Sequence, residues 1–125
     1  MHTIELKTGK REELVDITSQ VQGEIDKCSV KDGLCVVFCP HTTAGLTINE
    51  NADPDVQKDM IGHLRKLVPE EDGFDHSEGN SDAHIKASLM GSSVTVLVEG
   101  GKLALGTWQG IYFCEFDGPR SRKVW

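Results

Sequence analysis

The longest uninterrupted apolar run in this chain is only six residues, Leu34-Cys35-Val36-Val37-Phe38-Cys39, and that limit constrains the fold more than any other feature. Six residues fall far short of the roughly 20 needed to cross a bilayer as a helix. A membrane partner is therefore not expected. The run has the length of one strand, apolar on both faces, so it reads as a central, fully buried strand. With 125 residues, 38% of them hydrophobic and 26% charged, the chain is expected to form a single soluble domain. A chain of this size hides roughly two-thirds of its unfolded surface, enough for a core without metal or disulfide staples. Any metal would serve function. The start, Met1-His2-Thr3-Ile4-Glu5-Leu6, lacks the basic and apolar blocks of a secretory signal, and a cytoplasmic location is expected.

The net charge of -7 is concentrated between Glu50 and Asp82, where ten acids face only Lys58, Arg65 and Lys66. Nucleic acid requires a basic face to displace counterions, and the only basic cluster is Arg120, Arg122 and Lys123. A nucleic-acid partner is not expected. The cysteines at 28, 35, 39 and 114 form no Cys-x-x-Cys pair, which excludes a structural zinc finger. Cys35 and Cys39 lie at even spacing and would share one face of a strand as buried, reduced thiols.

His2 to Lys7 alternates as an edge strand. Thr18 or Ser19 can cap a short helix presenting Val21, Ile25 and Cys28. Leu46 to Asn49 continues extended, and Asp53-Pro54 supplies an N-cap with proline at the first helical position. That helix should bury Val56, Met60, Leu64, Leu67 and Val68 before Pro69 ends it. Glu70 to Ser81 is acidic, glycine-dotted and aperiodic, as an ordered flap would be. Asp82 can cap a further helix, Ala83 to Met90, closed by Gly91. The remainder alternates as strands at Ser93 to Glu99, Leu103 to Leu105 and Thr107 to Phe116. Two main helices among about seven strands give an α+β fold, β-sandwich-like and single-domain.

Three histidines stand in polar surroundings at element ends: His41 after the apolar strand, His76 in the flap and His84 in the first turn of the last helix. His63, on the long helix, is not expected to join them. Neutral imidazoles with carboxylates suit a catalytic divalent metal, and Asp82 or Glu50 could complete such a set. The alternative is three surface or hydrogen-bonded histidines. Thr42, Thr43, Asn49, Asn51, Asn80, Gln109 and Arg120 add donors beside strand ends and glycines, a set suited to phosphate or carboxylate. The chain carries neither a phosphate-cradling nor a dinucleotide-binding glycine loop, and no Gly-x-Ser-x-Gly elbow. Trp108, flanked by small residues, reads as core more than as a ligand platform.

Three long stretches then carry a resemblance. Pro40-His41-Thr42-Thr43-Ala44 through Leu46-Thr47-Ile48-Asn49-Glu50-Asn51-Ala52-Asp53-Pro54-Asp55-Val56 comes first. Gly79-Asn80-Ser81-Asp82-Ala83-His84-Ile85-Lys86-Ala87-Ser88-Leu89 follows. Gly106-Thr107-Trp108-Gln109-Gly110-Ile111 and Glu115-Phe116-Asp117-Gly118-Pro119-Arg120 complete the set. In order and separation they resemble the secondary thiamine-phosphate synthase, or YjbQ-like, family over nearly the whole chain. The resemblance implies a mixed fold with a β-sandwich, a homotrimer, and a polar pocket near a subunit boundary. It implies His41, His76 and His84 as ligands of a divalent metal, zinc or magnesium or manganese, with Glu50 and Asp82 nearby. His41, His84, Glu50 and Arg120 become candidate catalytic residues, and Thr42, Thr43, Asn80, Gln109 and Arg120 candidate contacts to a small phosphorylated or anionic substrate. The implied activity joins a pyrimidine diphosphate to a thiazole phosphate, as a secondary function of a metal-dependent enzyme. The alternatives are a metal-dependent hydrolase and a non-enzymatic trimeric ligand-binding protein. The resemblance also implies a last strand longer than the one that here stops at Val124-Trp125.

Overall fold

The computed structural model describes every residue from Met1 to Trp125. Its elements are β1 (Ile4–Lys7), β2 (Glu13–Asp16), α1 (Thr18–Asp26), β3 (Gly33–Phe38), β4 (Ala44–Glu50), α2 (Pro54–Leu67), α3 (Ser81–Met90), β5 (Ser93–Glu99), β6 (Lys102–Leu103), β7 (Gln109–Glu115) and β8 (Ser121–Val124). The chain is thus α+β, with three helices and all strand pairs antiparallel. No helix is long and apolar enough to cross a membrane.

The most buried strand is β7, which pairs with β2 on one side and β4 on the other. It is covered on both faces, and its alternation sorts its residues between two cores. Ile111 and Phe113 join Leu6, Val37, Leu46, Val96 and Val124 in the sandwich core between the sheets. Tyr112 and Cys114 point the other way and, with Phe116 just beyond the strand, pack with Leu64, Ala83 and Ala87 of α2 and α3. The second sheet runs β3-β5-β6, and Phe38 exchanges backbone hydrogen bonds with Trp125, which joins it to the β1-β8 pair.

The apolar run at 34–39 is not buried on both sides. Cys35, Val37 and Cys39 turn inward, while Leu34 is 67% and Val36 59% exposed on the outer face. No helix covers that face, because both long helices pack on the other sheet. Leu67 and Trp108 also depart from expectation and are exposed; Leu67 is the last residue of α2, and Trp108 projects from the turn before β7.

Helix α2 begins as its sequence dictates: the Asp53 carboxylate accepts from the Asp55 N–H, and Pro54 occupies the first turn. Helix α3 does not start on an Asp82 cap. Its N-cap residue is Asn80, and Asp82 is fully buried within the first turn. Likewise α1 is preceded by Ile17, and the Thr18 hydroxyl instead accepts from the Ile111 N–H at 2.9 Å, tying α1 to β7. The approach of α3 to β4 requires glycine at 45, where a Cβ would stand 2.8 Å from the Gly91 carbonyl oxygen.

Candidate functional site

Antiparallel register decides what meets at the end of the sandwich. Ala44 lies opposite Glu115, so Thr43 at the start of β4, Glu115 at the end of β7 and Arg122 of β8 come together. Arg122 is buried; it donates through Nε to Glu115 Oε1 at 2.9 Å, through Nη2 to Glu115 Oε2, and through Nη2 to Thr43 Oγ1 at 2.8 Å. The Thr8 hydroxyl donates to Glu115 at 2.7 Å. Burial pushes the Glu115 carboxyl up, but hydrogen bonds from Arg122, Thr8 and the Asp117 N–H outweigh it and hold the group below the usual carboxylate range. The result is a buried ion pair, held by Thr8, Thr43 and the Asp117 N–H, that forms the base of the region above it.

On this base sits a depression of about 420 Å³, walled by Pro40, His41, Thr42, Thr43, His76, Glu78, Asn80, His84, Asp117, Arg120 and Arg122, with Pro40 its only apolar side chain. Arg120 donates through Nε to the Asp117 carbonyl at 2.8 Å and through Nη2 to the Asp117 carboxylate at 3.1 Å, leaving Nη1 without a partner in the chain. Asp117 also accepts from Asn80 Nδ2 at 2.8 Å, while Asn80 Oδ1 is buried with no hydrogen-bond partner. An unsatisfied acceptor in a polar wall is costly unless a ligand or water meets it.

The three histidines reach the same depression in different ways. His76 and His84 lie edge to face with ring centroids 5.4 Å apart, although one comes from the 70–81 segment and the other from α3. His41 Nε2 is held against the Lys123 backbone, 3.0 Å from its N–H and 3.1 Å from its carbonyl oxygen. Burial lowers the His41 pKa, and the nearby Arg122 cation lowers it further, so its neutral form is favoured. No three His, Cys, Asp or Glu side chains are arranged to hold a metal ion.

Of the sequence-derived site residues, His41, His76, His84, Thr42, Thr43, Asn80 and Arg120 stand together. Glu50 and Gln109 do not. They are partnered with each other at the opposite end of the β4–β7 ladder, about 20 Å away at 3.3 Å per residue. There the Glu50 carbonyl accepts from the Tyr112 hydroxyl, and the Gln109 amide oxygen accepts from the Gly106 N–H at 2.8 Å. Asp82 faces away from the histidines, gripped by Arg11 through both carboxylate oxygens at 3.1 and 3.2 Å and by Lys86 at 2.8 Å. Burial raises the Asp82 pKa, but Arg11 and Lys86 outweigh it and lower it overall. Glu115, Asp117 and Arg122 were absent from the sequence-derived set. In β8 positions 122 and 124 are buried and 121 and 123 exposed, but Arg122 carries a charge like Lys123, so the sequence held no signal for its burial.

Fold and pocket together define a small α+β sandwich protein with a histidine- and arginine-walled, predominantly polar cleft. The family model described as "UPF0047 protein YjbQ-like" matches residues 2–125, and the chain belongs to the YjbQ/UPF0047 family. It is 58% identical over 121 residues to a UPF0047 protein of Methanocaldococcus jannaschii, covering 97% of this chain and 88% of that one. It is 54% identical over 126 residues to the UPF0047 protein YugU of Bacillus subtilis, covering 100% and 96%. A crystal structure of a YjbQ/UPF0047 family protein from Clostridium acetobutylicum superposes with a TM-score of 0.98 at 58% identity, covering 100% of this chain and 97% of that one.

Proposed function

We propose that the polar cleft is the active site of an enzyme acting on small phosphorylated molecules, with thiamine-phosphate synthesis as a weak, secondary activity. The observation that supports this reading is a cleft walled by Arg120, Arg122 and three histidines, with Pro40 its only apolar side chain. Phosphate oxygens match such a donor set, and arginine offers the bidentate grip. In the synthase reaction the carbon–oxygen bond of the pyrimidine diphosphate breaks, the thiazole nitrogen bonds to that carbon, and pyrophosphate leaves. The free Nη1 edge of Arg120 is suited to the charge developing on the departing pyrophosphate, where electrostatic stabilisation is most effective. His76 and His84 are available to supply a proton there. Asn80 Oδ1 would accept from a substrate donor.

The family resemblance adds a divalent metal to this proposal. The residues as arranged do not fit a three-ligand centre, and no step above runs through one. Slow turnover is expected from the same wall: Pro40 is its only apolar side chain and no Phe, Tyr or Trp lines it, so the cleft offers a pyrimidine ring little surface to hold it in place. Titration calorimetry with inorganic pyrophosphate tests the reading, with binding expected for the native protein and at least about tenfold weaker for Arg120→Ala. Equal binding by both proteins would remove the basis of the proposal. Steady-state synthase assays with and without chelator decide the metal dependence. We expect kcat/KM below the usual ~10⁴–10⁸ M⁻¹s⁻¹ and, with no three-ligand centre in the chain, no further drop on chelation.

A homotrimer is also proposed, supported by the uncovered apolar face of β3 and β5. Leu34 and Leu97 are direct cross-strand partners there, and both are more than 60% exposed. Contiguous exposed apolar surface of this kind is characteristic of contact between chains.

A further inference from the structure

A second chemical constellation lies away from the polar cleft, where the N-terminal segment crosses the end of α1. His2 Nδ1 is 3.0 Å from Glu24 Oε2, and the other ring nitrogen, Nε2, is 3.3 Å from Cys28 Sγ. A thiol, an imidazole and a carboxylate are thus linked in the order that nucleophile, base and orienting group require. The carboxylate stays charged, because hydrogen bonds from His2 and then Lys27 hold Glu24 below the usual range. With Nδ1–H donated to Glu24, Nε2 is left as the acceptor facing the thiol.

The three groups border a cavity of about 260 Å³ in which His2 and Glu24 are the only polar side chains. Its walls include Ile4, Val21, Ile25, Val37 and Val124, with Cys28 and Cys35 exposing sulfur. Ligand pockets for drug-sized molecules occupy roughly 300–1,000 Å³, so this one takes a short aliphatic chain. We infer that Cys28, with His2 as its base and Glu24 orienting that base, is a nucleophilic thiol that accepts a short acyl group from a thioester.

The step is a transthioesterification. His2 Nε2 takes the Cys28 proton, Sγ bonds to the acyl carbon, the original carbon–sulfur bond breaks, and the departing thiolate recovers the proton from His2. Local electrostatics make His2 indispensable. Cys28 lies just beyond the C-terminal end of α1, so no helix N-terminus stands behind its sulfur, and His2 Nε2 is the side-chain group placed to take its proton. In the resting state the thiol also faces the Glu24 carbonyl at 3.4 Å, so the proton has two acceptors to choose between. The backbone N–H groups of Lys27 and Cys28 are spent on Glu24 and Ile25 carbonyls. With those donors unavailable to an oxyanion, a thioester with its good leaving group fits this site, and an amide does not.

The experiment uses the full 125-residue chain without an added N-terminal tag, incubated with hexanoyl-coenzyme A under reducing conditions and followed by intact-mass spectrometry and peptide mapping. A single hexanoyl adduct on Cys28 is expected, forming at least about tenfold faster than with acetyl-coenzyme A and at least about tenfold slower in His2→Gln. Cys28→Ser should give no thioester adduct. His2→Gln alters only an exposed side chain at the chain start, so circular dichroism should be unchanged and the rate comparison stays interpretable. An adduct on Cys35 or the N-terminal amine, equal rates with the two thioesters, or an unchanged rate in His2→Gln would each overturn the assignment.

Discussion

Two regions at opposite sides of the β3-β5 sheet and the β4–β7 ladder handle burial in opposite ways. Beneath the cleft, Glu115, Arg122, Thr8 and Thr43 are polar, deeply buried and mutually hydrogen-bonded. On the outer face of β3 and β5, Leu34, Val36 and Leu97 are apolar, exposed and uncovered. Charges can be buried only where partners satisfy them, so the first region is complete within one chain. Apolar surface gains nothing in water, so the second is the face that the proposed trimer would cover. The cleft therefore owes its shape to pairing inside the subunit, whereas the sheet face finds no such pairing within the chain.

The sharpest way to break the comparison is Glu115→Ala, which leaves the Arg122 guanidinium buried without its carboxylate. A loss of about 3–5 kcal/mol in denaturant unfolding is expected, with much less for a Glu115→Gln, Arg122→Met pair. A small effect of the single change would mean that the cluster is not dry. Next, Val36→Glu places a charge at the centre of the exposed apolar face. Light scattering should find the native protein at three times 13.7 kDa and the variant at the monomer mass, while its fold by circular dichroism stays intact. A native monomer at micromolar concentration would end the trimer proposal.

Arg120→Ala tests the cleft without touching its base, since the Arg120 side chain is exposed and bonded only to Asp117, and its bonds to Thr8 are made by the backbone. The expected fall in kcat/KM is at least about tenfold, or ~1.4 kcal/mol, with stability within about 0.5 kcal/mol of native. The smallest effect concerns pH. His41 has a folded pKa below its unfolded one, so the unfolded chain binds more protons as pH falls through the ordinary histidine value. Stability should decline there, then again as pH falls through the lowered pKa values of Asp82 and Glu115. His41→Gln should flatten only the first decline. A native stability that rises on acidification between pH 7 and 5 would contradict the sign.

Local signals were sufficient for much of this molecule. Asp53-Pro54 and Pro69 bracket α2 because capping and proline geometry act within one or two residues. The alternation in β1 and β5, and the inward placement of Cys35 and Cys39, followed from the strand period. Polar residues clustered at 40–43, 76, 80, 84 and 120 marked most of the cleft wall before its geometry was known. Tertiary structure decided the rest. The motif that carries His41 also carries Glu50, yet a strand separates its own ends, and only the Ala44–Glu115 register shows which end the cleft occupies. The run at 34–39 is apolar on both faces, so its composition could not reveal that no helix covers Leu34 and Val36. Arg122 looked like surface charge beside Arg120 and Lys123, and Asp82 like a helix cap. Each became a buried ion only because a distant residue, Glu115 or Arg11, was brought to meet it, and long-range pairing of that kind leaves no mark within a local window of sequence.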